Sequence, residues 1–463
     1  MADEKEGPDV KPDNTERRTV ALMEVAVSLL ELDDFSQLKD ILNAERPADV
    51  AELLRRMDED TRNRLFGLLD EELAAETLAE SDTTTMLSIV EDLEPKTLSD
   101  LVEEMEPDDA ADVLSELKDD EVAQVLALMR SEEAQEMQDL LVHEEDTGGG
   151  LMTPDFILVH QSATAGDAML ALQEDEDAPD HYYVFVVDDE KRPVGTVSLH
   201  KLVRTRPHIA IAQIMDSNVI TVRQDTDQEE IARLFEHYNF MAVPVVDENG
   251  QMVGRITADD VIDVIEEEAT EDIYKMAGTH HDEIESTSVF GVARNRLPWL
   301  LICLAGSFLS GGVIHFFDGA LAKVIALAAF IPAITATGGN SGLQSSTVTV
   351  RSLVTGHVSS GMVMRTIFRE IGTAMVIGLA CGLAATGMAW FWFGEKMVGL
   401  CVGLAMFLAI SVAVTMGVIV PIFLNRMGID PAIASGPFIT TTNDILGLFI
   451  YLGLATLLMQ YLS

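Results

Sequence analysis

From about residue 19 to 145 the apolar residues recur at the three- and four-residue spacing of a single helix face. Val50, Leu53, Leu54 and Met57 share one such face, and Leu98, Leu101, Val102 and Met105 share another. Strand-like alternation is scarce. The stretches are separated by short acidic or proline-containing breaks: ERPAD, LDEE, LEPKT, MEPDD and LKDDE. Acidic residues at such breaks suit helix N-termini, where they cap free N–H groups and complement the dipole. The pattern predicts an all-α stack of short antiparallel helices, of superhelical type, over 19–149. The charged, proline-containing segment 1–18 has no apolar stretch of signal-peptide type and reads as a disordered tail.

Near residue 150 the period changes and an internal repeat begins. VVDDEKRPVGTVSLHKLV (186–203) matches VVDENGQMVGRITADDVI (245–262) at an offset of 59, and LMTPDFILVHQSAT upstream resembles IMDSNVITVRQDTD. Each copy runs strand, helix, strand, acidic turn, strand, helix, with DENG a good hairpin signal. One copy leaves a sheet face bare, whereas two packed together bury it. The pattern resembles a tandem CBS-domain pair of α+β type over 150–268, divided at about 208. A charged helical segment, 269–296, then connects this module to the apolar C-terminal part of the chain.

Apolar segments close the chain at about 298–317, 321–337, 371–393, 397–424 and 431–461. These make five spans, at about 20 residues for each ~30 Å of hydrocarbon. The second ends in the polar run TATGGNSGLQSST, expected as irregular backbone. Charge sharpens the division. From Arg294 onward there are 5 acidic and 8 basic residues, while the remaining 73 acidic and 22 basic residues precede it. The net charge of −48 therefore belongs to a water-facing module. It argues against nucleic acid or anionic lipid headgroups as partners and favours cations; an acidic surface of salt-adapted type is the competing reading. Arg294 and Arg296, then Arg351, Arg365 and Arg369, then Arg426 fall on one side of five spans, which puts the acidic module in the cytosol and the C-terminus outside. Cys303, Cys381 and Cys401 all lie in apolar segments without CxxC spacing and read as packing residues.

Asp444 is the sharpest chemical feature. In a helix continuous from Asp430 it would lie about 21 Å further along the axis, where a carboxylate costs at least ~2.5 kcal/mol. Its surroundings, TTTND, are polar, and Gly436-Pro437 upstream weakens the helix and frees carbonyls toward a water-filled path. Thr440 is a further candidate there. Asn340 in TATGGNSGLQSST offers a neutral oxygen beside paired glycines. Neutral oxygens with one carboxylate per subunit suit a hard, partly hydrated cation such as Mg2+, and not zinc or copper. Tight helix packing is the alternative role for the small residues. One carboxylate cannot encircle an ion, which points to a two-fold dimer.

Among the water-facing carboxylates, Asp108 and Asp112 share a helix face, and Asp260, Asp263, Glu267, Glu268, Glu271 and Asp272 repeat the pattern. Their repulsion would hold an interface apart, and divalent cations would close it. Any one of these taken alone fits a solvated surface better than a ligand; the cluster as a whole favours sensing.

GGLMTP, the CBS repeat, EEEATEDI, TGGNSGLQSST, Arg369-Glu370 and DPAIASGPFITTTND together resemble the MgtE-type magnesium channels along nearly the whole chain. The resemblance implies a multi-domain homodimeric membrane protein: a superhelical N domain, tandem CBS domains, a connecting plug helix and a five-helix transmembrane domain. It implies that Asp444 holds hydrated Mg2+ in the pore; Asn340, Gly436 and Thr440 are placed beside it by the residue chemistry above. Cytosolic Mg2+ would close the gate through Asp108, Asp112, Glu229, Asp260, Asp263, Glu268, Glu271, Asp272 and Asp430. CBS pairs also bind adenine nucleotides such as ATP. The second copy keeps Thr257 and Asp260 of the ribose-contacting motif, while the first has Ser198 and Lys201. The implied activity is import of Mg2+ across the cell membrane down the membrane potential. An alternating-access carrier for Mg2+, Mn2+ or Co2+ is the alternative, and a nucleotide-sensing receptor that transports nothing is a third. No nucleophile–base set, phosphate loop or metal-hydrolase motif suggests an enzyme.

Overall fold

The computed structural model describes residues 14–174, 181–280, 283, 289–354, 363–434 and 436–458. It divides into two compact units, Met1–Ile265 and Glu266–Ser463.

The first unit opens with ten helices: α1 (Asn14–Glu31), α2 (Phe35–Leu42), α3 (Pro47–Arg55), α4 (Glu59–Phe66), α5 (Glu71–Ala79), α6 (Thr83–Val90), α7 (Pro95–Val102), α8 (Pro107–Ser115), α9 (Asp119–Leu126) and α10 (Ser131–Leu140). Helix α1 already starts at Asn14, inside the stretch expected to be an unstructured tail; residues 1–13 lie outside the described residues. The residues that precede α2 to α10 are Asp34, Arg46, Asp58, Asp70, Asp82, Glu94, Glu106, Lys118 and Arg130, one at every twelfth position. Asp34, Asp58 and Asp82 accept from the backbone N–H three residues on, and Pro47, Pro95 and Pro107 open helices that lack such a cap. Alternate helices pack on one another, α3 on α5 and α5 on α7, as a superhelical array requires.

The internal repeat is two copies of one three-stranded sheet. β1 (Leu158–His160), α11 (Ala165–Glu174), β2 (Tyr183–Val187), β3 (Pro193–Ser198) and α12 (Leu199–Val203) form the first. β4 (Val222–Arg223), α13 (Gln228–Tyr238), β5 (Ala242–Val246), β6 (Met252–Thr257) and α14 (Ala258–Ala277) form the second. In both, the first strand pairs parallel with the middle one, which pairs antiparallel with the last. The offset of 59 extends to backbone detail. Lys191 and Gly250 both take positive φ, and Asp188 and Asp247 each accept from the two equivalent N–H groups of their hairpins. The helical array and the second sheet share one hydrophobic core, in which Leu114 and Met137 join Met152, Ile231 and Val245.

The second unit contains α15 (Val289–Phe316), α16 (Asp318–Lys323), a 3-10 segment (Ile325–Phe330), α17 (Ile331–Val354), α18 (Val363–Phe393), α19 (Lys396–Arg426), a 3-10 turn (Pro431–Ala434) and α20 (Pro437–Leu457). Among the described residues four helices, α15, α18, α19 and α20, are long and apolar enough to cross a membrane. Helix α19 is the axis of the bundle, with α17, α18 and α20 packed around it. Tyr451 is buried and its hydroxyl donates to Leu327 O at 2.8 Å, which ties α20 to the 3-10 segment.

Three expectations need correction. The polar run TATGGNSGLQSST is regular helix, and the element there is Ile331–Val354 instead of an apolar span at 321–337 with an irregular tail. Small residues let α17 approach its neighbours closely enough to keep a regular helix. A Cβ on Gly417 would lie 2.4 Å from Gly342 O, and one on Gly338 would lie 3.0 Å from Asn443 Nδ2. The last span also starts later than 431: a 3-10 turn follows Asp430 and α20 begins at Pro437, so Asp430 and Asp444 do not share a helix. The connecting element is likewise no separate helix from 269, because α14 runs unbroken from Ala258.

Candidate cation path and acidic cluster

Asp444 stands seven residues after Pro437, about 10 Å into the roughly 31 Å length of α20. Its neighbour Asn443 turns inward, 5% exposed, against Gly338 of α17, and its Nδ2 has no hydrogen-bond partner. Asp444 is half-buried, one residue further round the helix. The carbonyls at the Gly436-Pro437 break are engaged within the helix. Thr440 Oγ1 donates to Gly436 O at 3.3 Å and Pro437 O at 3.1 Å. Gly436 itself is buried against Met276, at the end of α14.

On α17, Asn340, Gln344 and Thr347 are exposed on successive turns of one face, while Ser341, Ser345, Ser346 and Thr349 are buried on the other. Hydrocarbon cannot satisfy such an exposed amide stripe, so this face belongs against water or another subunit. Among the described residues no three His, Cys, Asp or Glu side chains are grouped to hold an ion. A complete shell, in the bundle and among the carboxylates of the first unit alike, therefore needs other oxygens, water, or a second copy of the chain.

In the first unit the carboxylates converge where two helix N-termini meet. Asp108 and Asp109 occupy the first turn of α8, and Asp259 and Asp260 the first turn of α14. Asp108 is 8% exposed and its Oδ1 has no hydrogen-bond partner. Burial, with Asp260, Asp109 and Glu106 nearby, pushes its pKa far above the usual carboxylate range. Burial and the charges of Asp260, Glu106, Asp112 and Glu80 raise Asp109 to about 7. Asp260 is raised chiefly by burial, against the opposing hydrogen bonds from Thr257, with Asp259 and Asp263 adding to the rise. Glu80 rises through burial and the charges of Asp263 and Asp259. For Glu106, burial outweighs the attraction of Arg255. These shifts have one physical cause: several negative groups partly removed from water with too little positive charge among them. Protons or a divalent cation can supply it.

Of the predicted regulatory residues, Asp108, Asp112, Asp260 and Asp263 belong to this cluster. Glu229 is at the start of α13, ion-paired with Arg233. Glu268, Glu271 and Asp272 lie further along α14, in the second unit, where Glu271 and Asp430 both contact Lys275. Glu80, Glu106 and Asp109 were not singled out from the sequence. Glu80 and Glu106 remain exposed and matter through the negative charges gathered beside them, and Asp109 through those charges and partial burial, neither of which the local pattern reveals. Lys275 did leave a trace, four residues after Glu271. Thr257 Oγ1 donates to Asp260 Oδ2 at 2.7 Å, and in the first copy Ser198 Oγ accepts from Lys201 N at 3.4 Å. The nucleotide-type motif is thus already engaged with itself.

Known proteins show the same order of parts. A family described as a divalent cation transporter matches residues 331–454, the MgtE intracellular N domain matches 45–146, and the CBS domain matches 149–208 and 211–267. The magnesium transporter MgtE of Bacillus subtilis is 39% identical over 69% of this chain and 71% of its own length. That of Thermus thermophilus is 37% identical over 70% and 72%. Among solved structures, the soluble part of a magnesium transporter superposes with a TM-score of 0.50 at 31% identity, covering 54% of this chain and 99% of its own. The cytosolic domain of the Mg2+ channel MgtE in complex with ATP does so with 0.50 at 35%, covering 53% and 99%.

Proposed function

This chain belongs to the MgtE family of magnesium transporters, and we propose that it imports Mg2+ through a path lined by Asp444 of α20 and the Asn340 face of α17. The observation that carries this reading is that the apolar helix α20 bears a lone carboxylate while its packing neighbour α17 exposes amides that lipid cannot satisfy. Asp444 attracts a hydrated divalent ion, and neutral side-chain oxygens of Asn340 and Thr440 complete its surroundings without stripping all its water, whereas the Gly436 carbonyl is already engaged by Thr440. A homodimer, with two Asp444 side chains across a two-fold axis, encloses the ion. The membrane potential draws the cation inward, with the acidic unit in the cytosol and the C-terminus outside.

Closure belongs to the acidic cluster in the same proposal. The crowded carboxylates around Asp108 and Asp260, with Asp112 and Asp263, repel one another when metal is scarce. Glu229 in the first unit, and Glu268, Glu271, Asp272 and Asp430 in the second, are further carboxylates for the regulatory ion. Cytosolic Mg2+ neutralises them and shuts the path. Thr257 and Asp260 are the residues a nucleotide such as ATP would engage in the CBS pair, in competition with the metal role of Asp260. Flux of Mg2+ into liposomes holding the purified protein, recorded against cytosolic-side Mg2+, tests both parts. Conduction that ignores cytosolic Mg2+ would remove the regulatory half. Currents that never exceed carrier rates would favour alternating access.

A further inference from the structure

The end of α14 carries a cation in the midst of the regulatory carboxylates. Lys275 Nζ lies 2.5 Å from Glu271 Oε1 and 2.9 Å from Asp430 Oδ2, and the three side chains are 28%, 38% and 32% exposed. Asp430 is held in place, because its Oδ1 also accepts from Ala432 N at 2.8 Å. The ion pairs sit beside a tight backbone contact. A Cβ on Gly278, whose φ is +78°, would lie 2.7 Å from the Pro437 ring, and Gly436 meets Met276 in the same way. The end of α14 therefore rests on the α19–α20 turn, at the base of the helix that bears Asp444. Burial opposes the charge on Lys275, but the hydrogen bonds and charges of Glu271 and Asp430 outweigh it and raise its pKa above that of an ordinary lysine. The ammonium stays charged throughout the neutral range.

We propose that Lys275 is a built-in cation of the gate: it latches α14 to the α19–α20 turn when metal is scarce, and it competes with the regulatory divalent cation for Glu271 and Asp430. The inference rests on the reading that cytosolic Mg2+ closes the path. One ammonium between two carboxylates leaves a residual negative charge, whereas a divalent ion neutralises both. Metal therefore has reason to enter the site and must displace the ammonium to do so. Removing Lys275 then has two effects of opposite sense. The metal-free contact weakens, and the metal binds more tightly. A lysine that merely supported the structure would produce only the first.

The test is Mg2+ flux through the full-length protein in liposomes, titrated with Mg2+ on the cytosolic face, for the wild type, Lys275→Gln and Lys275→Arg. Lys275→Gln should raise flux at vanishing cytosolic Mg2+ and lower the half-closing Mg2+ concentration by about five-fold, the effect of roughly 1 kcal/mol of lost competition. Lys275→Arg should restore wild-type behaviour. Protection of α14 from protease by Mg2+ gives the same shift without any transport step. A half-closing concentration that is unchanged or higher in Lys275→Gln, beside a wild type that responds to Mg2+, overturns the competition alone. A wild type indifferent to cytosolic Mg2+ overturns the gating reading and the competition with it.

Discussion

Gly436 and Met276 are in backbone contact: a Cβ on Gly436 would stand 2.0 Å from the Met276 carbonyl oxygen. No flexible side chain is there to give way, so even one methyl group forces the end of α14 away from the start of α20. Gly436→Ala should therefore raise the cytosolic Mg2+ needed for half-closure several-fold, with little loss of thermal stability because the site lies between elements. Flux titrations check this. A half-closing concentration equal to that of the wild type would show that the contact plays no part in gating.

Asp444 should be indispensable in conduction and dispensable in folding. It is half-buried on α20, whereas Asn443 beside it is the residue packed into α17, so the helix contact does not depend on the Asp444 charge. Asp444→Asn and Asp444→Ala are expected to lower Mg2+ flux by at least about a hundred-fold, with the membrane-extracted protein keeping its elution profile and melting temperature. An Asn variant that conducts normally would sink the pore assignment.

The acidic cluster sets a pH dependence with a definite sign. Asp109 titrates at about 7 in the folded unit, well above an ordinary aspartate. At Asp109 the folded form thus binds a proton the unfolded chain releases, so this residue's contribution to stability is greatest at low pH and is lost as pH rises through about 7. In metal-free protein, the acidic cluster should therefore lower the melting temperature of the first unit as pH rises from about 4 to about 7, seen as the difference from a variant lacking Asp108 and Asp109. Asp108→Asn combined with Asp109→Asn should flatten that slope and raise metal-free stability by about 1–3 kcal/mol, while abolishing stabilisation by Mg2+. Melting curves with and without Mg2+ test all three outcomes. A double variant still stabilised by Mg2+ to the wild-type extent would move the sensor elsewhere.

Tyr451→Phe offers a purely structural control. The hydroxyl is fully buried and donates to Leu327 O, so its loss removes a buried hydrogen bond between α20 and the 3-10 segment. A cost of about 1–2 kcal/mol is expected, with no change in the Mg2+ concentration for closure. A shift in closure would link this hydrogen bond to the gate.

Much of the architecture was legible because it is periodic. The apolar spacing marked the short helices, the offset of 59 marked the paired sheets, and mean apolarity marked α15, α18, α19 and α20. The segment around TATGGNSGLQSST was misjudged for a physical reason. Polarity and glycine signal irregular backbone when a segment is taken alone, but in α17 the same small residues allow contacts with Gly417 and Asn443 that hold a regular helix. The twelve-residue spacing of helix starts was equally present in the chain, yet Arg46, Lys118 and Arg130 occupy positions filled elsewhere by acidic residues, which hid it.

By itself the sequence determined which residues are chemically out of place: a carboxylate at 444 in an apolar run, amides beside paired glycines, and an excess of acid in the water-facing half. These are one-dimensional facts of composition and period. Only the tertiary structure decided which carboxylates crowd together, that Thr440 takes up the Gly436 and Pro437 carbonyls, and that Lys275 reaches Asp430. The reason is that burial and charge–charge distance depend on contacts between residues far apart in the chain. Asp108 and Asp260 are an ordinary pair of surface acids until the start of α8 meets the start of α14.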